Sequence, residues 1–99
     1  MAVAVQLDFK GGTLEQYDEA AERLGFLPGG PSARAELLHW VTKTGDGVRV
    51  IDVWETREAF EEFLTDKIGM VAPKVGWSFP PEIQFFEVHN YFVGSRRRG

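Results

Sequence analysis

With 99 residues, 43% of them apolar and 26% charged, the chain has material for one core and too little for a second. A net charge of -4 disfavours general nucleic-acid binding, which draws on phosphate neutralisation. The absence of cysteine excludes disulfides, thiolate metal sites and cysteine nucleophiles.

Residues 2–9 alternate, with Val3, Val5, Leu7 and Phe9 on one face and Ala4, Gln6 and Asp8 on the other, the pattern of a half-buried strand. This opening run is too short for a signal peptide and lacks its basic start. No apolar run approaches membrane-spanning length, so a cytoplasmic setting without membrane contact is expected. Gly11 and Gly12 break the strand. Thr13 and Gln16 then have capping-box spacing, and Leu14, Tyr17, Ala21 and Leu24 mark one face of a helix over 13–24 that stops at Gly25. The following FLPGGPSAR, residues 26–34, reads as a long loop, either the rim of a pocket or a plain connector.

A second strand is predicted over 35–43, a turn at Gly45, Asp46 and Gly47, and a third strand over 48–54. If the turn centres on Gly45 and Asp46, His39 lies directly opposite Asp52; a one-residue bulge would destroy that pairing. On this reading Ile51 and Val53 point to the helices, and Val50, Asp52 and Trp54 point away. Asp52 interrupts an apolar strand, so its carboxylate needs water, a polar cavity or a partner. A second helix begins after Thr56, carries Phe60, Phe63, Leu64, Ile68 and Val71 on one side, and is expected to end at Pro73. The fourth strand is predicted over 83–93, with Glu87, His89 and Tyr91 on one face and Phe86, Val88, Asn90 and Phe92 on the other. Residues 95–99, with Arg96, Arg97 and Arg98, read as a solvated basic tail.

The order βαββαβ is the ferredoxin-like α+β pattern, a four-stranded antiparallel sheet with two helices on one face, expected as a single domain over 1–94. The helices cover only one side of such a sheet. The other side would show Trp40 or His39, Val50, Trp54 and aromatic residues of the fourth strand, too apolar for an ordinary surface, which predicts a homodimer packed sheet to sheet.

The segment DVWETREAFEEFL, with LHWV before it and EVHN in the last strand, resembles the dimeric α+β barrel superfamily, in particular the antibiotic-biosynthesis-monooxygenase-like proteins. The likeness runs over nearly the whole chain. It implies a barrel formed by two copies, often holding a small hydrophobic or aromatic ligand between sheet and helices. Members include cofactor-free oxygenases of polyketide phenols, haem-degrading enzymes and polyketide cyclases. Haem is not expected here: the helix-two Trp of the haem-degrading branch falls at Phe63, its His near Pro73, and Gln6 or Asp8 stands where that branch has Asn.

His39 with Asp52 is the sharpest constellation. An imidazole held by a carboxylate has a fixed tautomer and raised basicity, suited to taking a proton from a phenol or an activated carbon acid; the bland alternative is a polar pair fixing strand register in the dimer interface. His89 and Glu87 could converge on the same space as a metal site, but their spacing lacks a close ligand motif, and neither metal nor cofactor is expected. Asn90 offers a neutral donor to an oxyanion, or simply satisfies backbone groups. Tyr17, Trp40, Trp54, Phe60 and Phe63 are the candidate pocket rings. Phosphate-cradling glycine loops and a serine nucleophile elbow are both absent. With these residues in place, the resemblance implies a cofactor-independent monooxygenase acting on a small aromatic or polyketide-like molecule. The alternatives are a non-catalytic binding or interaction protein and a polyketide cyclase or isomerase.

Overall fold

The computed structural model describes residues 2–94, so the predicted basic tail lies outside the described residues. The strands are β1 (Val3–Lys10), β2 (Glu36–Thr44), β3 (Gly47–Trp54) and β4 (Glu82–Glu87), joined in one sheet of order β2-β3-β1-β4 with antiparallel neighbours. Helix α1 (Leu14–Leu24) follows β1. A longer helical run follows β3, made of α2 (Arg57–Phe63), a π-helical segment (Leu64–Ile68) and α3 (Gly69–Val75). This is the expected ferredoxin-like α+β arrangement. No helix among the described residues is long and apolar enough to cross a membrane.

Local chemistry explains the element boundaries. Thr13 Oγ1 accepts from Gln16 N at 3.1 Å while Gln16 Oε1 accepts from Thr13 N at 3.0 Å, and Gly25 closes α1 at φ 82°. Thr56 Oγ1 accepts from Ala59 N at 3.1 Å and caps α2, a contact that contributes about 1 kcal/mol in comparable helices. Pro73 does not end the helix, contrary to expectation. It sits inside α3, just after the widened π turn, and the stop comes at Gly76 with φ 86°. At the β2–β3 hairpin, a Cβ on Gly47 would come within 2.1 Å of the Phe9 carbonyl oxygen, so only glycine lets the hairpin lie against β1.

The sheet faces are reversed from the sequence reading. Val5, Leu7 and Phe9 of β1 stand opposite Asp52, Val50 and Val48 of β3, and residues directly opposite share a face. That face packs on the helices through Ala20, Phe60, Val71, Ala72 and Val75. Asp52 and Trp54 therefore point into the core under the helices, and Ile51 and Val53 point to the uncovered side. There Trp40 and Phe86 remain 49% and 48% exposed.

Strand β4 stops at Glu87 rather than at 93. Its pairing with β1 begins where β1 does, at Val3, so no partner strand continues alongside His89 and Asn90.

Candidate functional site

Strand β3 is interior and carries Asp52; its outer neighbour β2 carries His39, directly opposite. The predicted register thus holds. The bulge comes further along, between Glu36 and Leu38, where the pairing shifts so that Glu36 faces Trp54. An inserted residue re-aims what precedes it. Glu36 thereby joins the face of His39 and Asp52, next to Ala35, whose φ of 70° is left-handed for a non-glycine residue.

Three titratable side chains meet there. His39 Nδ1 lies 3.1 Å from Glu36 Oε2 and 2.7 Å from Asp52 Oδ1. One N–H can be collinear with one acceptor only: it is aligned on Glu36, and Asp52 Oδ1 approaches off that axis. On the far side of the ring, Nε2 is 2.5 Å from the Tyr17 hydroxyl. Trp54 Nε1–H donates to Asp52 Oδ2 at 3.2 Å. Asp52 is 4% exposed, and the side chains of Glu36 and His39 are 1% and 22% exposed.

Burial sets the electrostatics. It opposes charge on His39, but the two carboxylates outweigh it and hold the ring's pKa up at about 11. Near neutral pH both nitrogens therefore carry protons, and the ring has no free lone pair with which to act as a base. Burial pushes the Asp52 carboxyl up, and Glu36 beside it pushes the same way, against the pull of His39. Burial would raise Glu36 too, yet the His39 N–H aligned on it, with the polar side chains of Asp52 and Ser32 nearby, brings it below the usual carboxylate value. Glu36 is thus the charged member of the pair, and Asp52 the one that keeps a proton more readily.

The remaining predicted residues fall into two groups. Tyr17 and Phe63 line a small cavity of about 30 Å³ beside His39 and Asp52. Trp54 and Phe63 floor a larger open cleft of about 750 Å³ between the end of α1, the 26–35 loop and the second helical run. Both spaces share Leu24, Phe26 and Phe63 as their common wall. The loop expected as rim or connector contributes Phe26, Ala33 and Arg34 to the cleft, so it is rim.

The structure does not bring the others in. Trp40 lies on the uncovered face, and Phe60 is wholly buried core packed edge-on against Trp54. His89 and Asn90 are exposed beyond β4, at the sheet edge opposite β2, and Asn90 Oδ1 accepts from the adjacent Tyr91 N. The convergence of His89 with Asp52 fails because β1 stands between β4 and β3 and because β4 ends before His89. Glu36 and Ser32 are the residues that sequence reasoning missed. The available signal was a lone acid at the start of an otherwise apolar strand, just after a Pro- and Gly-rich loop.

Neither a protein-family model nor a curated protein sequence matches the chain. Solved structures do. A protein from Chloroflexus aurantiacus assigned as an antibiotic biosynthesis monooxygenase superposes with a TM-score of 0.61 at 16% identity, over 95% of this chain and 100% of that one. A variant of SnoaB, a cofactor-independent oxygenase from Streptomyces nogalater, gives 0.55 at 14% identity over 94% and 97%. The monooxygenase ActVA-Orf6 of Streptomyces coelicolor, in complex with Nanaomycin D, gives 0.54 at 20% identity over 95% and 92%. At these identities the likeness establishes the fold, that of the antibiotic-biosynthesis-monooxygenase-like proteins.

Proposed function

We propose that the protein binds a small aromatic or polyketide-like molecule in the cleft floored by Trp54 and Phe63, and that opening of the shared wall of Leu24, Phe26 and Phe63 brings the bound molecule to Tyr17 and His39, which stabilise negative charge on it. The observation that carries this reading is the buried imidazole between two carboxylates, with a phenol on its far nitrogen, one wall away from a cleft with an aromatic floor and a charged rim. With both ring nitrogens protonated, Nε2–H donates to the Tyr17 oxygen and leaves the Tyr17 O–H free to donate onward. A phenolate or enolate oxygen there meets a hydrogen bond backed by a cation. This replaces the base role expected of His39, with Asp52 and Glu36 as its positioning partners.

Oxygenation of a phenol without a cofactor is the leading reaction class, because solved structures of this fold include a cofactor-independent oxygenase and a monooxygenase in complex with Nanaomycin D. Cyclisation or isomerisation needs the same charge stabilisation. The active unit is proposed to be a homodimer, closed over the uncovered sheet face that bears Trp40 and Phe86.

A second reading has its own support. The cavity beside His39 has room for about one water, not a ring, which favours a non-catalytic binder whose polar cluster serves to lock β2 to β3. Oxygen uptake with a panel of hydroquinones and anthrones, run beside ligand binding followed by Trp fluorescence, separates the two. Loss of turnover with retained binding in Tyr17→Phe supports the catalytic reading. Binding without oxygen uptake or any other turnover leaves the binder, and absence of binding removes both.

A further inference from the structure

Two buried carboxylates side by side demand a positive partner. In the protein as described that partner is the Nδ1–H of His39, yet Glu36 Oε1 and Asp52 Oδ1 are left buried without an aligned donor. Among the described residues, Glu36, His39 and Asp52 are the one group of three whose ligand atoms gather, all within 4.8 Å of one another. The spacing is telling. Donors about 2.0–2.2 Å from a common metal ion stand roughly 3 Å apart when they share one face of its coordination shell. The observed Nδ1 separations of 2.7 Å and 3.1 Å are close to that.

The atoms not facing the centre are already held. The Tyr17 hydroxyl sits on His39 Nε2, which fixes the ring with Nδ1 inward, and Trp54 Nε1–H holds Asp52 Oδ2, leaving Oδ1 inward. Outer partners of this kind orient metal ligands and are half of a metal site's construction. Glu36 reaches the centre only through a bulge and the left-handed Ala35, local departures that cost free energy and cluster at functional positions.

We propose that Glu36, His39 and Asp52 form a binding site for one divalent first-row transition-metal ion, with the adjoining small cavity supplying room for a bound water. One imidazole and two carboxylates suit Zn²⁺, Mn²⁺, Fe²⁺ or Co²⁺, and the two carboxylate charges balance a dication. The cation takes the place of the Nδ1 proton. This goes beyond the aromatic-ligand reading, which does not depend on it.

The test uses the full chain after dialysis against chelator, titrated with Co²⁺ and Zn²⁺ by calorimetry and visible absorption. The expected result is one Co²⁺ per chain with ligand-field bands, weakened at least ten-fold by Glu36→Gln and by Asp52→Asn, and about ten-fold by Trp54→Phe. Should a variant fail to fold, ¹⁵N resonances of the unmodified protein decide, because the chain has only two histidines. Zn²⁺ must shift His39 Nδ1 and leave His89 unchanged. Absence of stoichiometric binding, binding unaffected by both carboxylate substitutions, or a shift at His89 in place of His39 overturns the proposal. Aromatic-ligand binding by the chelated protein is read separately, so failure of either reading leaves the other visible.

Discussion

Glu36 and His39 lie on the same side of β2 although three residues apart in a strand whose side chains alternate. Regular pleating would put them on opposite faces; the bulge between Glu36 and Leu38 brings them together. The cluster is therefore a product of backbone irregularity as much as of residue type.

The two carboxylates should differ in their contribution to stability. Glu36 is the charged partner of the imidazolium, so Glu36→Gln leaves a buried cation undercompensated and should cost about 3 kcal/mol. Asp52 holds a proton more readily, and Asn resembles that neutral form, so Asp52→Asn should cost about 1 kcal/mol. Urea unfolding of both variants in chelator near pH 6 measures the difference, and the opposite ranking would reverse the assigned charges.

Stability should fall on the alkaline side. The His39 value is raised from 6.5 to about 11, so its contribution is complete below about 6.5 and is lost as pH rises through about 11. Asp52, raised from 3.8 to about 7, adds a loss between those two values. Glu36 runs the other way: its lowered value contributes above 4.5 and is lost in acid. In chelated protein the urea midpoint should drop between about pH 7 and pH 10, and His39→Gln should flatten that limb. A wild-type profile level over that range contradicts the paired imidazolium.

Ala35 should tolerate one substitution and resist another. At φ 70° an L side chain is strained, so Ala35→Gly should be neutral or stabilise by up to about 1 kcal/mol, while Ala35→Val should destabilise by more than about 1 kcal/mol. Thermal melts give the sign. If the valine variant melts like the wild type, the left-handed backbone at this position is wrong.

The uncovered face should govern assembly. Trp40→Glu places a charge on a half-exposed position, which a free subunit tolerates and a sheet-to-sheet interface does not. Sedimentation should show a dimer for the natural chain and a folded monomer for the variant; identical sedimentation of the two would remove this face from assembly.

Much of this architecture was legible from periodicity and cap chemistry. Thr13 with Gln16, Gly25 and the hairpin register that sets His39 against Asp52 all follow from interactions between residues near in sequence. Matters decided by distant pairing were not. Which side of β3 meets the helices depends on its register with β1, over forty positions away, where Val5, Leu7 and Phe9 stand opposite Asp52, Val50 and Val48. Glu36 stayed hidden because alternation alone assigns it to the wrong face, and His89 and Asn90 misled because apolar residues continue past the point where β1 ceases to offer hydrogen bonds.

Strand β2 is bonded to the sheet along one margin only, and it supplies two of the three members of the cluster, while Asp52 belongs to the interior. Separation of that single outer ribbon would unclasp Glu36 and His39 from Asp52 with the other three strands still joined. Amide exchange along β2 would then report directly on how often the clasp springs open.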